Sequence, residues 1–110
     1  MLAINVTTIT LTRGDSLKVV CQPVNADGTD YVAEQGDSVR FALKRNYCDS
    51  VVLIEKQIPT DSYLLQLEPS DTENLRFGSY VYDVQLTHAV TGDVDTYIAE
   101  GTFVLAKEVD

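Results

Sequence analysis

The feature that most constrains this chain is the alternation of apolar and polar residues in short runs. In residues 39–43 and 80–86 every second residue is apolar. A period of two places those side chains on one face of a β-strand. Val, Ile, Thr and Tyr, which favour strands, are abundant throughout the sequence. We therefore predict an all-β chain, and its 110 residues suffice for one domain, residues 1–110, with a core of its own.

Turn residues divide the chain into about seven strands. The predicted turns combine Gly with Asp or Asn, which tolerate the backbone angles of tight turns. They are residues 13–15, 25–28, 36–37 and 91–93. Short strands in this number, separated by turns in a chain of this length, are typical of a two-sheet β-sandwich of the immunoglobulin type.

Three places depart from simple alternation. The apolar run 51–54 does not alternate, which predicts a strand whose start is covered on both faces. Around Thr7 and Thr8 the apolar residues change parity, which predicts a bulge or a strand that passes between the two sheets. Gly101 interrupts the last strand and predicts a bulge there.

A short helical turn is predicted before the sixth strand. Ser70 and Glu73 have the spacing of a capping box, in which two residues cap the first turn reciprocally. Tyr80 follows this turn, in the position where a corner tyrosine packs its ring inside and donates its hydroxyl to upstream backbone. Tyr82 stands where an antibody domain has its second core cysteine, so the predicted fold is immunoglobulin-like and lacks the inter-sheet disulfide. The predicted structural corner comprises Ser70, Asp71, Glu73, Gly78, Tyr80 and Tyr82.

The net charge narrows the range of functions. Eight basic residues against 17 acidic ones give a net charge of −9 at pH 7. An acidic surface repels phosphate backbones, and the sequence has no basic stripe interleaved with aromatic residues, so nucleic-acid binding is not expected. The first residues have no basic region and no long apolar run, and we expect neither a secretory signal nor a membrane span.

The two cysteines are too few for a disulfide framework. Cys21 shares the parity of Leu17 and Val19, which predicts a small core residue with a raised thiol pKa. Cys48 lies in a predicted loop, and its exposure is left open. A bridge between the two cysteines remains an alternative, although it is not expected in a protein without an export signal.

No catalytic, cofactor-binding or metal-ligating set is predicted. His88 is the sole histidine and is read as a strand-end residue near a turn, because no nucleophile is placed beside it. The segment Asn25-Ala26-Asp27-Gly28 resembles part of a calcium loop, but Pro23 would occupy its first ligand position and has no side-chain oxygen. An enzyme would need a pocket with perturbed titratable groups around His88 or a pair of aspartates.

Contact between proteins is the activity that the sequence supports positively. The edge strands of a sandwich can accept a further strand from another subunit. The candidate edges are the first strand and the segment Tyr31, Val32 and Ala33. The alternative is a bacterial carbohydrate-binding or adhesion sandwich, which needs exposed aromatic side chains aligned on one face. Its candidates are Tyr31, Tyr47 and Tyr97.

The corner and several strands carry a resemblance to a known family. Residues 67–83 (Leu67-Glu68-Pro69-Ser70-Asp71-Thr72 through Tyr80-x-Tyr82-Asp83), with residues 10–15, 39–44 and 101–105, are similar to small immunoglobulin-like tail and baseplate proteins of phages and prophages of Gram-positive bacteria. The resemblance is greatest to the N-terminal domain of siphophage baseplate upper proteins. These motifs describe a structural corner and its core, so they support the predicted fold more strongly than the predicted function.

The resemblance implies a structural component of the virion. It implies contacts with other tail or baseplate subunits or with copies of itself, assembly as a homo-oligomer, and no cofactor. The expected location is the host cytoplasm during assembly and then the virion tail. No catalytic residues are implied, because that family has none.

Overall fold

The computed structural model describes residues 8–107, and it confirms the all-β prediction. A helix of four residues, α1 (Pro69–Thr72), lies between the fifth and sixth of its strands. The strands are β1 (Thr8–Thr12), β2 (Leu17–Val20), β3 (Ser38–Lys44), β4 (Ile54–Ile58), β5 (Leu64–Leu67), β6 (Gly78–Thr87) and β7 (Val94–Ala106). The predicted change of parity around Thr7 and Thr8 rests partly on Ile4 and Val6, which lie outside the described residues.

The strands form two sheets in an immunoglobulin-like sandwich. Five strands form one sheet in the order β1-β7-β6-β3-β4, and β2 pairs with β5 in the other. All pairs are antiparallel except β1 and β7, which run parallel. The first predicted edge is thereby confirmed, because β1 lies at one end of the five-stranded sheet.

The core follows the alternation seen in the sequence. On β6 the buried and half-buried residues alternate along the strand. The apolar residues Val39, Phe41 and Leu43 of the neighbouring strand β3 are buried in the same core. Leu65 and Leu67 of the two-stranded sheet belong to the same buried cluster. The fully buried side chains with the largest volumes include Phe41, Leu43, Leu65, Leu67, Leu86, Phe103 and Leu105. Apolar burial between the sheets is the main favourable contribution to folding.

Strand β7 contains the irregularity that Gly101 predicts. The β6–β7 register is regular up to the pair Tyr82 and Gly101, and then shifts twice before Gln85 pairs with Thr96. The extra residues lie on β7, which increases the local twist of that strand.

The prediction for residues 51–54 is wrong. The strand begins only at Ile54, and Val51, Val52 and Leu53 precede it in the β3–β4 connection with their side chains exposed. Ile54 and Ile58 alternate with exposed positions, as in a strand with one buried face. Periodicity over four residues cannot distinguish a doubly covered strand from an apolar loop.

The second predicted edge, the segment Tyr31–Ala33, is not a strand, so this prediction is wrong. It is irregular backbone after the isolated bridge between Val24 and Asp30. Val32 is exposed, whereas Tyr31 and Ala33 are half-buried and pack against the core. The side-chain contacts of Tyr31, described below, hold the segment across the end of the sandwich.

Candidate interaction surface

Tyr80 forms the predicted tyrosine corner. Its ring is buried, and its hydroxyl donates to the backbone carbonyl of Arg76, four residues upstream. The guanidinium of Arg45 lies 4.9 Å from the ring centroid and also donates to the carbonyl of Ser79. Gly78, with a φ of 136°, lies against this same guanidinium and starts β6. These contacts fix the turn from α1 into β6, which is a structural role.

The helix cap differs from the predicted one. Ser70 is exposed inside α1 and Glu73 is its C-terminal cap, so these two residues do not form the box. The N-cap is Glu68, whose backbone N–H donates to Asp71 Oδ2 at 2.7 Å. Pro69 explains the shift, because it favours the first helical position and has no N–H to satisfy. Asp71 Oδ1 also lies 3.0 Å from Lys56 Nζ, which ties α1 to β4.

One polar cluster lies at the end of the sandwich where β3 begins and β6 ends. We call it the tyrosine–histidine clasp, and it consists of Tyr31, Asp37, His88 and Asp95. The Tyr31 hydroxyl donates to Asp37 Oδ2 at 2.7 Å and lies 3.2 Å from His88 Nδ1. His88 Nε2 lies 2.8 Å from Asp95 Oδ2. Asp37 further accepts from the backbone N–H groups of Glu34 and Ala89. The clasp joins the 31–37 segment to the β6–β7 turn.

Two residues of the clasp, Tyr31 and Asp37, have shifted pKa values. Burial, and then the hydrogen bond to Asp37, raise the pKa of Tyr31, so its phenol keeps its proton. The pKa of Asp37 is lowered, with the hydrogen bond from Ala89 as its largest cause, so this carboxylate stays charged. A general base or a nucleophile needs a pKa near the working pH, and both shifts move away from it.

Open hollows flank the clasp on both sides. One of about 310 Å³ lies beside His88, and its lining includes Glu34, Thr91 and Asp93. A wider groove of about 660 Å³ runs between the 30–36 segment and Tyr63. Both open broadly to solvent. Within residues 8–107, no group of three or more His, Cys, Asp or Glu residues is arranged to hold a metal ion.

The Asn25–Gly28 segment is the predicted turn. Asp27 Oδ1 accepts hydrogen bonds from both the backbone N–H and the hydroxyl of Thr29, and Gly28 has a φ of 91°. These bonds lower the pKa of Asp27, the side-chain bond to Thr29 being the largest cause. The carboxylate is thus used by the turn itself.

The β3–β4 connection has exposed apolar side chains, although the sequence predicts that residues 51–54 are covered. Tyr47 and Val51 are 57% and 64% exposed, and Val52 and Leu53 are exposed to a smaller extent. We call these four residues the β3–β4 loop patch. Large contiguous apolar patches on a protein surface are associated with contact sites, whereas single exposed apolar residues are common.

A small cavity of about 60 Å³ lies beside Tyr47, the one patch residue in its lining. The lining also includes Lys44 and Asp83. Asp83 Oδ1 is buried and has no hydrogen-bond partner among residues 8–107. Burial raises the pKa of Asp83, although Arg40 and Lys44 act in the opposite direction. A buried carboxylate oxygen without a hydrogen-bond partner is energetically costly.

The two thiols differ in access. Cys21 is buried, and burial raises its pKa to about 11, as the sequence predicted. Cys48 is exposed within the β3–β4 connection, and both cysteines are free. The alternative of a Cys21–Cys48 bridge is therefore not the arrangement in the structure.

The aromatic residues considered for sugar binding do not share a face. Tyr97 is buried, and its hydroxyl donates to the carbonyl of Cys21. Tyr31 is half-buried in the clasp, and Tyr47 is exposed. The prediction that all three are candidates for an exposed row is wrong for Tyr97, because its apolar neighbours fill the core around it.

Comparison of the sequence with known proteins identifies no related family or protein. A scan against protein-family models finds no match, and a search of curated proteins finds none either. In residues 8–107 no helix has the length and apolar character needed to cross a membrane.

Proposed function

We propose that this chain is a non-enzymatic structural protein of a phage or prophage tail or baseplate, and that it acts through contacts between subunits. The resemblance of residues 67–83 to immunoglobulin-like tail proteins supports the viral assignment. The partners would be other tail or baseplate subunits or further copies of the chain. It would be present in the host cytoplasm during assembly and then in the virion tail.

The observation that carries the contact function is the β3–β4 loop patch. Three of its members, Val51, Val52 and Leu53, are consecutive, and Tyr47 lies earlier in the same connection. Removing such side chains from water on binding is favourable by roughly 25 cal/mol for each Å² buried. Tyrosine is also enriched where interfaces form, because its ring is apolar and its hydroxyl can remain hydrated.

The clasp supports a structural role over catalysis. The Tyr31 hydroxyl donates to Asp37, and Asp37 also accepts from the backbone N–H of Ala89. The pKa of Tyr31 is raised and that of Asp37 is lowered, so the phenol keeps its proton and the carboxylate stays charged. The clasp restrains the loops at its own end of the sandwich, where β3 begins and β6 ends, whereas the β3–β4 connection that carries the patch begins at the opposite end of β3.

The test is binding to the products of neighbouring genes. We expect those genes to encode tail proteins, and the full chain to co-elute with at least one of them in size-exclusion chromatography. The double variant Val51→Asp/Val52→Asp should weaken that complex at least about tenfold, because charged side chains at the contact must lose their hydration. Genes unrelated to tails, or a complex untouched by the double variant, would contradict the proposal.

A matched control is available elsewhere on the surface. Val32 and Val90 are the most exposed large apolar residues of the described chain, and neither belongs to the patch. The variant Val32→Asp/Val90→Asp adds the same charge to the protein at distant loops. It should bind like the original chain, which separates a local effect from a general increase in negative charge.

Carbohydrate binding remains the second candidate, favoured by one observation. Tyr47 is an exposed aromatic residue that lines a small cavity together with Asp83. A glycan array is the direct measurement. Binding to a specific glycan that Tyr47→Ala abolishes would favour this function. The absence of binding to any glycan on the array would argue against it.

A further inference from the structure

The two edges of the five-stranded sheet are protected differently. At one end, β4 contains Glu55 and Lys56 and is followed directly by Pro59. Charges and proline are the usual means by which edge strands avoid pairing with other chains. At the other end, β1 reads Thr-Ile-Thr-Leu-Thr, with neither a charge nor a proline. Within residues 8–107 no strand pairs with its outer side.

The backbone of β1 is oriented for pairing on that outer side. The N–H of Arg13 donates to the carbonyl of Ala106 on β7. Because successive residues of a strand turn their backbone groups to alternate sides, Ile9 and Leu11 also face β7. The N–H and C=O groups of Thr8 and Thr10 therefore point away from the sheet.

The sequence of β1 complements itself when it is reversed. In an antiparallel pair centred on Thr10, Thr10 faces Thr10, Thr8 faces Thr12, and Ile9 faces Leu11. Thr10, whose backbone groups point outward, would form the central hydrogen-bonded pair with its copy. The carbonyl of Thr12 already accepts from the N–H of Asp15 at 3.0 Å, so in the outer pair it would be shared between that N–H and Thr8 of the second copy. The apolar residues, which are buried on the inner face, would lie opposite each other on that same face.

Charge also favours this edge over the rest of the surface. Two copies of a chain with a net charge of −9 repel each other wherever acidic residues are close. Residues 8–12 of β1 and residues 101–106 of the adjacent β7 contain no charged residue. At one end of this neutral strip lie two basic residues, Arg13 and Lys107. Repulsion between copies is thus weak along β1.

We propose that β1 of one copy pairs in an antiparallel manner with β1 of a second copy, about a twofold axis at Thr10, to make one continuous sheet. The contact is isologous, so a single strand supplies both halves of it. The proposal deepens the proposed function, on which it rests, by naming a second copy as the partner and β1 as the contact.

Disulfide trapping tests the register. In a Cys48→Ser background, Thr10→Cys places two thiols at the axis, where Cα atoms about 5.5 Å apart permit a bridge. We expect Thr10→Cys to form a disulfide-linked dimer under mild oxidation and Thr12→Cys alone to form no such cross-link, because the two Thr12 positions do not face each other. A mixture of Thr12→Cys and Thr8→Cys chains should cross-link, because those positions face each other. Equal cross-linking of Thr10→Cys and Thr12→Cys, or none with Thr10→Cys, overturns the proposal.

A proline variant tests the hydrogen bonds. Thr10→Pro removes an N–H that points outward, so it spares the bonds between β1 and β7. We expect sedimentation to show concentration-dependent dimers for the unaltered chain and for Thr10→Val, and monomers for Thr10→Pro with the same circular dichroism spectrum. Dimers of Thr10→Pro would contradict the pairing, and the trapping result decides the question if this variant does not fold.

The outcomes separate this pairing from the proposed function. If Thr10→Cys does not cross-link while the loop-patch variant loses tail-protein binding, the pairing is wrong and the function stands. If Thr10→Cys cross-links in register while no tail protein binds, the pairing stands and the tail assignment is wrong.

Discussion

Gly101 lies directly against the phenol ring of Tyr82, so closely that a Cβ at position 101 would overlap the ring atoms Cδ1, Cε1 and Cζ. The two residues face each other across β6 and β7, and the register shift of β7 begins beside them. The Tyr82 ring is buried against Phe41, with ring centroids 5.4 Å apart. The missing side chain of Gly101 is what allows this ring to fit between the strands.

The substitution Gly101→Ala should therefore destabilise the protein. Forcing one extra carbon into a packed site costs about 1–3 kcal/mol, since the ring and the backbone must move. The measurement is the free energy of unfolding in urea. In the double variant Gly101→Ala/Tyr82→Leu the overlap is gone, so the two changes should cost less together than the sum of the single costs. Simple additivity would show that the ring contact is not the cause.

The hydroxyl of Tyr80 should contribute measurably to stability. Tyr80→Phe keeps the buried ring and its contact with Arg45, but removes the hydrogen bond to the Arg76 carbonyl. The expected loss is about 1 kcal/mol of unfolding free energy. Tyr47→Phe is the control, because the Tyr47 side chain is exposed, and it should leave the unfolding free energy unchanged. Equal effects of the two variants would argue against the corner.

The clasp predicts a pH-dependent contribution from Asp37. Its folded pKa is lowered from the ordinary 3.8, chiefly by the hydrogen bond from Ala89, so the charged form is favoured by folding. The stabilisation is complete well above pH 3.8, declines as the pH falls past that value, and is absent below the folded pKa. Asp37→Asn should therefore be less stable at pH 7, by roughly 0.5–1 kcal/mol, because solvent screening reduces the contribution of a carboxylate near the surface. Thermal melts of both proteins between neutral and strongly acidic pH should converge at the acidic end. A constant difference across that range would contradict the prediction.

The thiols predict one fast labelling site in the native protein. Cys48 is exposed, whereas Cys21 is buried with a pKa raised to about 11 by that burial. At pH 8 a thiol reagent should modify Cys48 at once and Cys21 only after unfolding, because the thiolate is the reacting form. Mass spectrometry should show one label per native chain and two in denaturant. Native Cys48→Ser protein should remain unlabelled, and rapid labelling of it would mean that Cys21 is accessible.

The strands and the corner could be predicted because their signals are local. Alternation in residues 39–43 and 80–86 identifies a strand and its buried face within a few residues. Tyr80 follows a helical turn at a short and fixed distance, so a hydrogen bond from its hydroxyl to upstream backbone is predictable, and the structure identifies the acceptor as the Arg76 carbonyl. The sequence predicts the helix cap two residues too late, since Ser70 and Glu73 fit the same spacing as Glu68 and Asp71.

The candidate interaction surface was largely beyond the reach of the sequence. Whether Val51 to Leu53 are covered depends on how far β4 extends, and the apolar run looks the same in a loop and in a buried strand. The sequence pattern places Tyr31 in an edge strand, whereas in the structure its hydroxyl lies 3.2 Å from Nδ1 of His88, 57 residues later. The sequence also predicts the first strand as an edge, but whether β1 has a second neighbour depends on the order of the strands in the sheet.

What the sequence by itself determined is the period of each segment, the parity of its apolar side chains and the residues able to turn, because backbone geometry and side-chain size act over a few neighbouring positions. Only the tertiary structure decided which segments meet, which apolar residues remain in water, and which strand lies at an edge. Those outcomes depend on the packing of two whole sheets, where the burial of one element is set by residues far away in the chain.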